Sequence, residues 1–425
     1  MESMARTDRP AASARLRIVV VLKTNTGGLW TVPQVEALRT RGHDVRIVVP
    51  PGEGRLTAEL QARGFQVLAS PFDFRFRPAP GVLRALWRLR RLLRDLRPDV
   101  VHYHLYASAM ATRLVTVGLA ARRVHMVAGP LFLESPVIRR VERLLWRMDD
   151  LVVCGTEFTS RLYGRLGCPP GRRPVVTYGV DTERFSVDRL LRERGQPTHD
   201  PARAELRRKI RADLGVAEDV LLVVMVAFVY PPRHLVHRGR GIKGHDILLT
   251  AWDRFHARHP RSHLLLVGGG WNEAGRVHRA ELLRRFRVAE RADVTWTDSV
   301  TEVREVYAAA DLSVSPSLSE GHGAVVEASA MGVPSIVSDA GGLPETVDEY
   351  AGWVVPADDP GALEAALDSA GQEFLAGRLA DRGANARRRA VALFDSAAAA
   401  TRLAAIIEHS VAARSAPRVR SAVPR

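Results

Sequence analysis

Two glutamates lie close together in a glycine-rich stretch, SPSLSEGHGAVVEASAMGVPSIVSDAGGLPE, which runs from Ser315 to Glu345. The pattern predicts a buried strand, then a loop that carries Glu320, then a helix that begins near Ala324 with Glu327 in its first turn. A helix N-terminus behind small residues offers free backbone N–H groups and a positive dipole end, which suit a phosphate. Carboxylates repel phosphate and instead accept hydrogen bonds from pairs of hydroxyl groups. The two features together predict a sugar nucleotide as the ligand.

This stretch resembles the donor site of the retaining GT-B glycosyltransferases of glycosyltransferase family 4. That family has two glutamates around a loop and a helix start, followed by Gly-x-Pro and a Gly-Gly-x-x-Glu turn. The matching residues here are Glu320, Gly321, Gly323, Glu327, Gly332, Pro334, Gly341, Gly342 and Glu345. The family usually has one residue more between its glutamates than the six that separate Glu320 from Glu327. Either Glu320 or, in the strict register, Ser319 therefore takes the position of the first glutamate.

The resemblance implies a role for each part of this stretch. Glu327 holds the ribose hydroxyls, Glu320 holds the hydroxyls of the transferred sugar, and the backbone amides between them help to bind the diphosphate. Those amides belong to Gly321, His322, Gly323 and Ala324. Retention without an evident enzymic nucleophile implies attack on the same face of the sugar, assisted by the leaving phosphate, and the family typically needs no metal ion.

A basic loop after the first strand of the second half supplies cations. When the sugar leaves, negative charge develops on the diphosphate, and without a metal ion an arginine or lysine must stabilise it. In the string RGRGIKGHDILLTAW, the family's Lys-Gly-x-Asp pattern begins at Lys243. Three arginines are candidates for its partner: Arg238 in the family's usual register, and Arg233 and Arg240 because of an apparent insertion.

Two loops in the first half carry further candidates. Gly27 and Gly28 follow the first strand and open a helix, where missing side chains let the backbone approach a ligand closely. The string VVHYHLY places His102 and His104 at the end of a strand with both imidazoles on one face. By resemblance, His104 contacts the donor sugar or a diphosphate oxygen, and His104 and Gly28 lie on the acceptor side. A packing role is the alternative for His104 and the favoured interpretation of His102.

Two other loop motifs match the family. The string LLLVGGGWNE ends a strand in three glycines, and we expect the first of them, Gly268, to lie beside the nucleotide. The string YGVDTERF resembles the family's N-G-V-D-x-x-x-F, with Tyr178 in the place of asparagine. Asp181 and Phe185 are predicted to cap this turn and to anchor the segment that follows it.

Strands alternate with helices along nearly the whole chain, which is typical of parallel sheets with helices on both faces. We predict an α/β GT-B fold with two doubly wound Rossmann-like domains that face an interdomain cleft, because ligands bind beyond the carboxyl ends of such strands. The expected limits are a disordered N-terminus at 1–15, an acceptor-side domain at 16–195, a donor domain at 196–393, a helix at 394–413 that crosses back to the first domain, and a basic disordered tail at 414–425. Within these limits, 175–180 is expected to form a strand and 186–201 a linker.

Composition narrows the class of protein. The chain has 425 residues and a net charge of +15, carried mostly by arginine, but no zinc-finger, homeodomain or RNP-type pattern, so nucleic acid is not an expected partner. The longest apolar run, Val220 to Tyr230, is far shorter than the roughly 20 residues that span a bilayer, and 1–15 lacks the apolar region of a signal peptide. Cys154 and Cys168 are too few for a disulfide framework or a metal site. We expect a cytoplasmic protein with reduced thiols, no metal and no cofactor, and a UDP-sugar as co-substrate.

Two arginine-rich helices, VLRALWRLRRLLRDLR and SPVIRRVERLLWRM, have an apolar side opposite a basic one. Helices of this kind bind anionic bilayers, but an apolar side is also what a helix needs to cover a parallel sheet. We predict that both helices pack on the core. Peripheral contact with an anionic membrane is the second hypothesis.

Other functions share parts of this pattern. An NAD-linked oxidoreductase or epimerase should carry G-x-G-x-x-G after the first strand, and KTNTGGLW lacks it. A non-catalytic scaffold that binds nucleotide sugars or membranes stays open because of the shortened glutamate spacing. The sequence therefore predicts a retaining, metal-independent glycosyltransferase whose hydroxyl acceptor is a glycan, a lipid-linked molecule or a small natural product, with the oligomeric state left open.

Overall fold

A computed structural model describes residues 15–76, 81–232, 236–237 and 240–415. Most of the expected terminal segments, and the candidates Arg233 and Arg238, lie outside the described residues. The chain divides into two compact units. The first runs to Val127 and includes Leu145–Val153 and the segment from Ala400 onward, and the second comprises Ala128–Leu144 and Cys154–Ala399. The predicted domain limits stay a prediction.

The first unit is built on a six-stranded sheet in the order β3-β2-β1-β4-β5-β6, in which β1 to β5 pair in parallel. Its strands are β1 Arg17–Val21, β2 Asp44–Val49, β3 Gln66–Ala69, β4 Val100–His104, β5 Arg122–Val127 and β6 Leu151–Cys154. Its helices are α1 Val32–Thr40, α2 Arg55–Ala62, α3 Gly81–Leu96 and α4 Tyr106–Val115. The strands β1, β4 and β6 are buried almost throughout, as expected for a parallel sheet covered by helices, whereas the edge strand β3 is partly exposed.

The helix α3 packs as predicted. Leu89 and Leu93 are fully buried in a core cluster with residues of β1 and β4, and the remaining apolar residues of this side pack against that cluster. Four arginines of α3 are exposed, namely Arg84, Arg88, Arg91 and Arg94, whereas Arg90 is half-buried and donates to the carbonyls of Val115 and Val117. Leu83 and Trp87 stay exposed on this helix.

A buried polar network stabilises the centre of the first unit. The guanidinium of Arg113 donates to the carboxylate of Asp149, with Nε 3.0 Å from Oδ1, and the hydroxyl of Tyr103 donates to the same carboxylate. Nη2 of Arg113 also lies 3.2 Å from Nδ1 of His125. Burial is the main cause that holds the pKa of His125 well below its usual range, followed by the positive charge of Arg113. Arg113 and Asp149 are almost completely inaccessible, so water solvates neither charge and both rely on buried partners.

The second unit is built on another six-stranded parallel sheet, in the order β12-β11-β10-β7-β8-β9. Its strands are β7 Leu221–Val226, β8 Ser262–Val267, β9 Val294–Thr297, β10 Leu312–Ser315, β11 Ser335–Ser338 and β12 Gly352–Val355. Its helices are α5 Pro136–Leu145, α6 Glu157–Arg165, α7 Val187–Glu193, α8 Asp200–Asp213, α9 His245–Arg258, α10 Glu273–Arg285, α11 Val303–Ala309, α12 Val325–Ala330, α13 Pro360–Leu375 and α14 Leu379–Leu393. Core clusters cover both faces of this sheet, so the predicted α/β class with two parallel sheets is confirmed.

The last helix, α15 Ser396–Ser415, passes from the second unit into the first. In the first unit, the carboxylate of Glu408 accepts hydrogen bonds from Nε of Arg41 at 2.8 Å and pairs with Nε2 of His43 at 2.9 Å. No helix among the described residues has both the length and the apolar character needed to cross a membrane.

Two local expectations were wrong. The segment expected to be a linker contains α7, because Ser186 caps its N-terminus and Leu190 and Leu191 are buried beneath it. The strand expected at 175–180 is reduced to isolated bridges at Val175 and Val180. Gly179 adopts the left-handed conformation with φ of 61°, which interrupts any ladder.

The second basic helix, α5, does not pack as predicted. Its apolar residues Val137, Val141 and Leu144 are exposed, while Glu142 is completely buried. The carboxylate of Glu142 accepts a hydrogen bond of 2.8 Å from the hydroxyl of Tyr163, which fixes the helix in this orientation.

We predict that Asp149→Ala destabilises the protein strongly. The substitution removes the buried carboxylate to which both Arg113 and Tyr103 donate, and breaking a buried ion pair by removing one partner typically costs about 3–5 kcal/mol in the free energy of unfolding. Urea unfolding followed by circular dichroism measures this loss. The matched control, Asp95→Ala, removes an exposed carboxylate that pairs with Arg91 and Arg94, and it should cost less than about 1 kcal/mol. Equal losses in the two variants would contradict the structural role of the buried pair.

Candidate functional site

Lys243 and Glu320, both predicted from the sequence, meet in the second unit. The ammonium of Lys243 contacts Oε2 of Glu320, and both side chains are largely buried. Nζ of Lys243 also lies 5.8 Å from the centre of the Tyr230 ring. Burial acts to lower the pKa of Lys243, but the Glu320 carboxylate and Tyr230 outweigh it, so the pKa lies above its ordinary value. Lys243 is therefore a fixed cation at neutral pH.

Close approach of two backbone segments produces this contact. Gly244 begins α9 with φ of 73°, and a Cβ there would lie 2.1 Å from the carbonyl oxygen of Pro316. The N–H of Leu318 donates to the carbonyl of Ile242 at 2.8 Å. The Lys-Gly pattern thus packs directly on the exit of β10, which carries Glu320.

The loop after Glu320 is held by Tyr178. The Tyr178 hydroxyl lies 3.0 Å from the N–H of His322 and accepts its hydrogen bond. A Cβ at Gly321 would lie 2.9 Å from this hydroxyl and 2.6 Å from the carbonyl oxygen of Ala128. Only glycine fits at this position. Tyr178, which replaces the asparagine of the resembled family, therefore fixes the path of the loop.

The Gly-Gly turn supports the same loop from the other side. Gly341 has φ of 61°, and a Cβ there would lie 2.0 Å from the carbonyl oxygen of Glu320. The N–H of Gly342 donates to that carbonyl at 3.0 Å. The glutamate of this motif has a structural role, because the carboxylate of Glu345 accepts hydrogen bonds from the N–H groups of Glu157 and Phe158, at 2.9 and 2.6 Å. It thereby caps the start of α6.

Glu327 is placed in the first turn of α12, as predicted, with Ala324 as the residue before the helix. Burial raises the pKa of Glu327 to about 7, although the charge of Arg184 and a hydrogen bond from Tyr307 act in the opposite direction. The Tyr307 hydroxyl, on α11, also lies 3.3 Å from the carbonyl oxygen of Ala324. Glu327 is thus a carboxylate that changes charge near neutral pH.

His322 lies between the two glutamates with a completely buried side chain. Its ring packs 5.4 Å from that of Tyr178 and 5.0 Å from that of Phe394, centre to centre. Neither ring nitrogen has a hydrogen-bond partner among the described residues, and burial lowers the pKa to about 4. The His322 ring is therefore neutral, and the group of this residue that donates to Tyr178 is its backbone N–H.

Ser319, the alternative to Glu320, differs from it in environment. Its side chain is buried, and its hydroxyl has no hydrogen-bond partner among the described residues. Glu320 reaches Lys243, and its Oε1 accepts a hydrogen bond of 3.0 Å from the N–H of Gly321. A cavity of about 20 Å³ beside Lys243, Glu320 and Ser317 has room for about one water molecule.

Two further predicted residues, Arg240 and Gly268, make contacts within the second unit that account for them. Arg240 pairs with Asp246, at 2.7 Å from Nη2, and also with Asp358. It therefore neutralises carboxylates of its own unit. Gly268 has φ of 144°, and a Cβ there would lie 2.1 Å from the carbonyl oxygen of Ala227 at the end of β7. The close packing against β7 therefore requires glycine at position 268. The expected place of Gly268 beside a nucleotide stays a prediction.

His104 and Gly28 belong to the first unit. The His104 ring is buried and lies 4.3 Å from the His102 ring and 5.1 Å from the Trp30 ring, centre to centre. Neither of its nitrogens has a hydrogen-bond partner among the described residues. Burial, followed by the neighbouring His102 and His125, holds its pKa well below the usual range. Gly28 has φ of 88° and starts a short helical turn.

Asp181 and Phe185 have the structural roles that the sequence predicted. Oδ1 of Asp181 accepts a hydrogen bond of 2.9 Å from the N–H of Arg184, and Phe185 is buried in a core cluster with α7 and α8. Both cysteines are buried, and neither takes part in a disulfide bond.

Sequence reasoning missed the roles of the tyrosines. Tyr178 was noted only as a departure from a motif, while Tyr230 and Tyr307 were not selected at all. Tyr230 lies beside Lys243, and Tyr307 hydrogen-bonds Glu327. Only the departure at Tyr178 gave a signal, because tyrosines on a helix or a strand exit are common core residues.

We predict that Gly321→Ala abolishes nucleotide binding without unfolding the protein. The added Cβ cannot coexist with the Ala128 carbonyl and the Tyr178 hydroxyl, so the loop must move away from its place beside α12. Isothermal titration calorimetry with UDP and GDP measures the loss, expected to exceed about tenfold in affinity. The control is Gly171→Ala, at a glycine with open space around it and no positive φ. Unchanged affinity in Gly321→Ala would contradict the assignment of this loop to the ligand.

Comparison with known proteins identifies the family of this chain. Residues 33–184 match the family model described as Glycosyltransferase Family 4, and residues 232–372 match the model described as Glycosyl transferases group 1. A D-inositol 3-phosphate glycosyltransferase from Streptomyces coelicolor is 31% identical over 324 residues, which cover 71% of this chain and 67% of that protein.

Two further proteins extend the comparison. A GDP-mannose-dependent alpha-(1-6)-phosphatidylinositol monomannoside mannosyltransferase from Mycobacterium tuberculosis is 29% identical, over 72% of this chain and 75% of that protein. The chain spans as little as 55% of other curated relatives. The structure of Anabaena Alr3699/HepE with UDP-glucose superimposes with a TM-score of 0.74 at 18% identity, over 93% of this chain and all of that one.

The two parallel sheets, the matched models and the inositol phosphate relative lead to one conclusion. The chain belongs to the GT-B glycosyltransferases.

Proposed function

We propose that this protein transfers a sugar from a nucleoside-diphosphate sugar to a hydroxyl acceptor, with retention and without a metal ion. One observation carries this proposal: the largely buried Lys243 lies beside the carboxylate of Glu320. The glycine-rich loop after Glu320 leads into α12, which carries the second carboxylate, Glu327. The lysine and the backbone amides suit the phosphates of a sugar nucleotide, and the two carboxylates suit its hydroxyl groups.

Exchange of partners at Lys243 gives the site its chemistry. Without donor, the ammonium is paired with Glu320. The diphosphate carries more charge than one carboxylate and can replace Glu320 as the partner of Lys243. Glu320 is then free to accept hydrogen bonds from the hydroxyls of the transferred sugar. As the leaving group departs, a cation already fixed in a water-poor site stabilises the developing charge.

The two carboxylates suit different hydroxyls. Glu327 lies beside Tyr307 and titrates near neutral pH, and we assign it to the ribose hydroxyls. Glu320 is closer to Lys243 and is assigned to the transferred sugar. The backbone amides from Gly321 to Ala324 are assigned to the diphosphate.

Metal independence and retention are parts of the proposal with separate tests. Lys243 supplies the positive charge that a divalent cation would otherwise provide, so turnover in EDTA should equal turnover without it. No carboxylate of this site is assigned the role of a covalent nucleophile, which favours attack on the same face. Proton NMR of the product gives the anomeric configuration.

Donor and acceptor are proposed as classes. The sequence favoured a UDP-sugar, HepE was solved with UDP-glucose, and the M. tuberculosis relative is named for GDP-mannose. A carboxylate that binds ribose accepts either nucleotide, so both donors belong in the first screen. The names of the relatives contain inositol phosphates and a phosphatidylinositol mannoside, which favours a polyol ring hydroxyl as the acceptor.

We predict that Lys243→Ala and Glu320→Ala lose donor turnover, by about 100-fold or more for the lysine, because a preorganised charge is removed from the leaving group. Release of nucleotide from UDP-glucose and GDP-mannose, coupled to an absorbance assay, measures this. Two variants serve as controls. Lys209→Ala removes an exposed lysine from α8, and Ser319→Ala removes the buried hydroxyl of the alternative register.

The pattern of losses decides between the assignments. If Ser319→Ala is inactive and Glu320→Ala is active, the glutamate register is wrong but the site stands. If Lys243→Ala keeps full turnover, the proposed donor site is wrong. Turnover that is absent in the unaltered protein with every nucleotide sugar, together with retained nucleotide binding, would favour a binding scaffold.

We also predict that nucleotide-sugar binding strengthens as the pH rises through about 7. The pKa of Glu327 is raised to about 7 by burial, so its carboxylate becomes the ionised hydroxyl acceptor only above that pH. Titration of UDP-glucose between about pH 6 and pH 8 measures the change, and its esterified phosphates do not titrate in this range. Glu327→Gln should bind more weakly with a flat profile. An unchanged slope in this variant would remove Glu327 as the titrating group.

The raised pKa of Glu327 makes the free energy of unfolding fall with rising pH, whereas ligand binding is expected to strengthen. An unfolded glutamate ionises near 4.5, whereas folded Glu327 ionises near 7, so the folded state holds more protons between these values. The contribution of Glu327 to the free energy of unfolding therefore falls as the pH rises through this window. Tighter binding at higher pH is thus not a consequence of a more stable fold.

A further inference from the structure

The helix α5 is oriented with its apolar residues outward. Val137, Val141 and Leu144 follow the spacing of one helical face, and they are 68%, 41% and 68% exposed. Glu142 points the other way and is completely buried. An amphipathic helix that only covered a core would have the reverse arrangement.

A specific contact stabilises this orientation. The Tyr163 hydroxyl, on α6, donates to Oε1 of Glu142 at 2.8 Å. Burying a carboxylate without a hydrogen bond is costly, so this donor helps to keep Glu142 inside. Rotating α5 to bury its apolar face would break the bond and expose Glu142. The outward apolar face is therefore a fixed property of the second unit.

Arginines lie beside this face, on the side of α5 that is turned toward α6. A cavity of about 450 Å³ lies between α5 and α6, with apolar walls that include Leu133 and Leu162. Its cationic lining consists of Arg139, Arg140, Arg143 and Arg165. Within the described part of the chain, Arg139, Arg140 and Arg165 form no ion pair. Many other arginines do pair, as Arg41 does with Glu408.

We propose that α5 and this cavity form a docking surface for an anionic phospholipid bilayer. The outward residues Val137, Val141 and Leu144 enter the interfacial layer, and the arginines of the cavity bind lipid phosphates. We call the three apolar residues and the four arginines the α5 surface. It shares no residue with the donor site, so lipid binding and donor turnover can be measured independently.

Charge favours a bilayer over a second copy of this chain. A symmetric contact would bring the arginines of one α5 surface against those of the other, and each chain already carries a net charge of +15. An anionic bilayer offers phosphates for the arginines and an apolar layer for the valines and leucine. Guanidinium groups also bind phosphate oxygens through two parallel hydrogen bonds.

Co-sedimentation of the full chain with vesicles tests this surface. We expect binding to vesicles with about a third phosphatidylglycerol at low salt, and weak binding to pure phosphatidylcholine. The double variant Arg139→Gln/Arg140→Gln should lose about 25-fold in affinity, since each surface arginine is worth about fivefold. Val137→Ser/Leu144→Ser should also bind more weakly. All four side chains are exposed, so these changes should leave the fold intact.

Matched controls separate the α5 surface from general charge and stickiness. Val277→Ser/Leu375→Ser removes two residues that are 63% and 75% exposed on α10 and α13, and Arg402→Gln removes an exposed arginine of α15. We expect both controls to bind vesicles like the unaltered protein. Donor hydrolysis in solution should be the same in every α5 variant, so a loss there would concern the donor site instead.

Three outcomes would overturn the proposal. Vesicle binding that is equal in the α5 variants and the controls would remove α5 from the membrane contact. Failure of the unaltered protein to bind anionic vesicles at low salt would remove the contact itself. Sedimentation velocity that shows a dimer, lost in Val137→Ser/Leu144→Ser, would assign the surface to a second copy.

Discussion

The meeting of Lys243 with Glu320 depends on how closely three backbone segments approach one another. Gly244 lies against the carbonyl of Pro316, and Gly341 lies against the carbonyl of Glu320, at distances where no Cβ fits. These contacts hold the start of α9, the exit of β10 and the Gly-Gly turn in one compact group. This packing of the backbone sets the positions of the side chains of the site. The glycines of the motifs are therefore needed for the fold of the loops, before any contact with a ligand. Because glycine has no side chain, the backbone segments can approach closely enough for Lys243 to contact Glu320.

Such packing also explains the electrostatics of the site. Lys243 keeps its charge in a buried place because Glu320 is held beside it, whereas Glu327 has only Tyr307 and the charge of Arg184 to offset burial. One carboxylate is therefore paired with a cation, and the other titrates near neutral pH. A ligand with both phosphates and hydroxyls gives Lys243 an anion and gives the two carboxylates hydrogen-bond donors. A phosphate alone would leave the carboxylates unsatisfied, and a free sugar would leave Lys243 with its original partner.

Much of this arrangement follows from the sequence, and the rest does not, for identifiable reasons. Buried strands and glycine turns have strong local patterns, so the parallel sheets and the helix start at Ala324 were predictable. The contact of Lys243 with Glu320 was not predicted, because it joins two loops that are distant in sequence. The role of Tyr178 depends on its hydrogen bond with the N–H of His322, which lies 144 residues away in the sequence. The helix α7 was missed because one serine cap and two leucines are a weak signal within a charged segment. Neither Arg233 nor Arg238 lies within the described residues, so the arginine of the diphosphate site stays a prediction.

The two basic helices show where periodicity stops being informative. Both α3 and α5 have an apolar side and a basic side, and the same pattern predicted the same packing for each. Leu89 and Leu93 of α3 are buried, but Leu144 of α5 is exposed, because α5 turns Glu142 inward, where the Tyr163 hydroxyl donates to it. A hydrophobic pattern identifies the apolar face of a helix but not which neighbour covers it. Since Tyr163 fixes Glu142 inside, the arginines and apolar residues of α5 remain together on the surface, where an anionic bilayer is the partner that matches both.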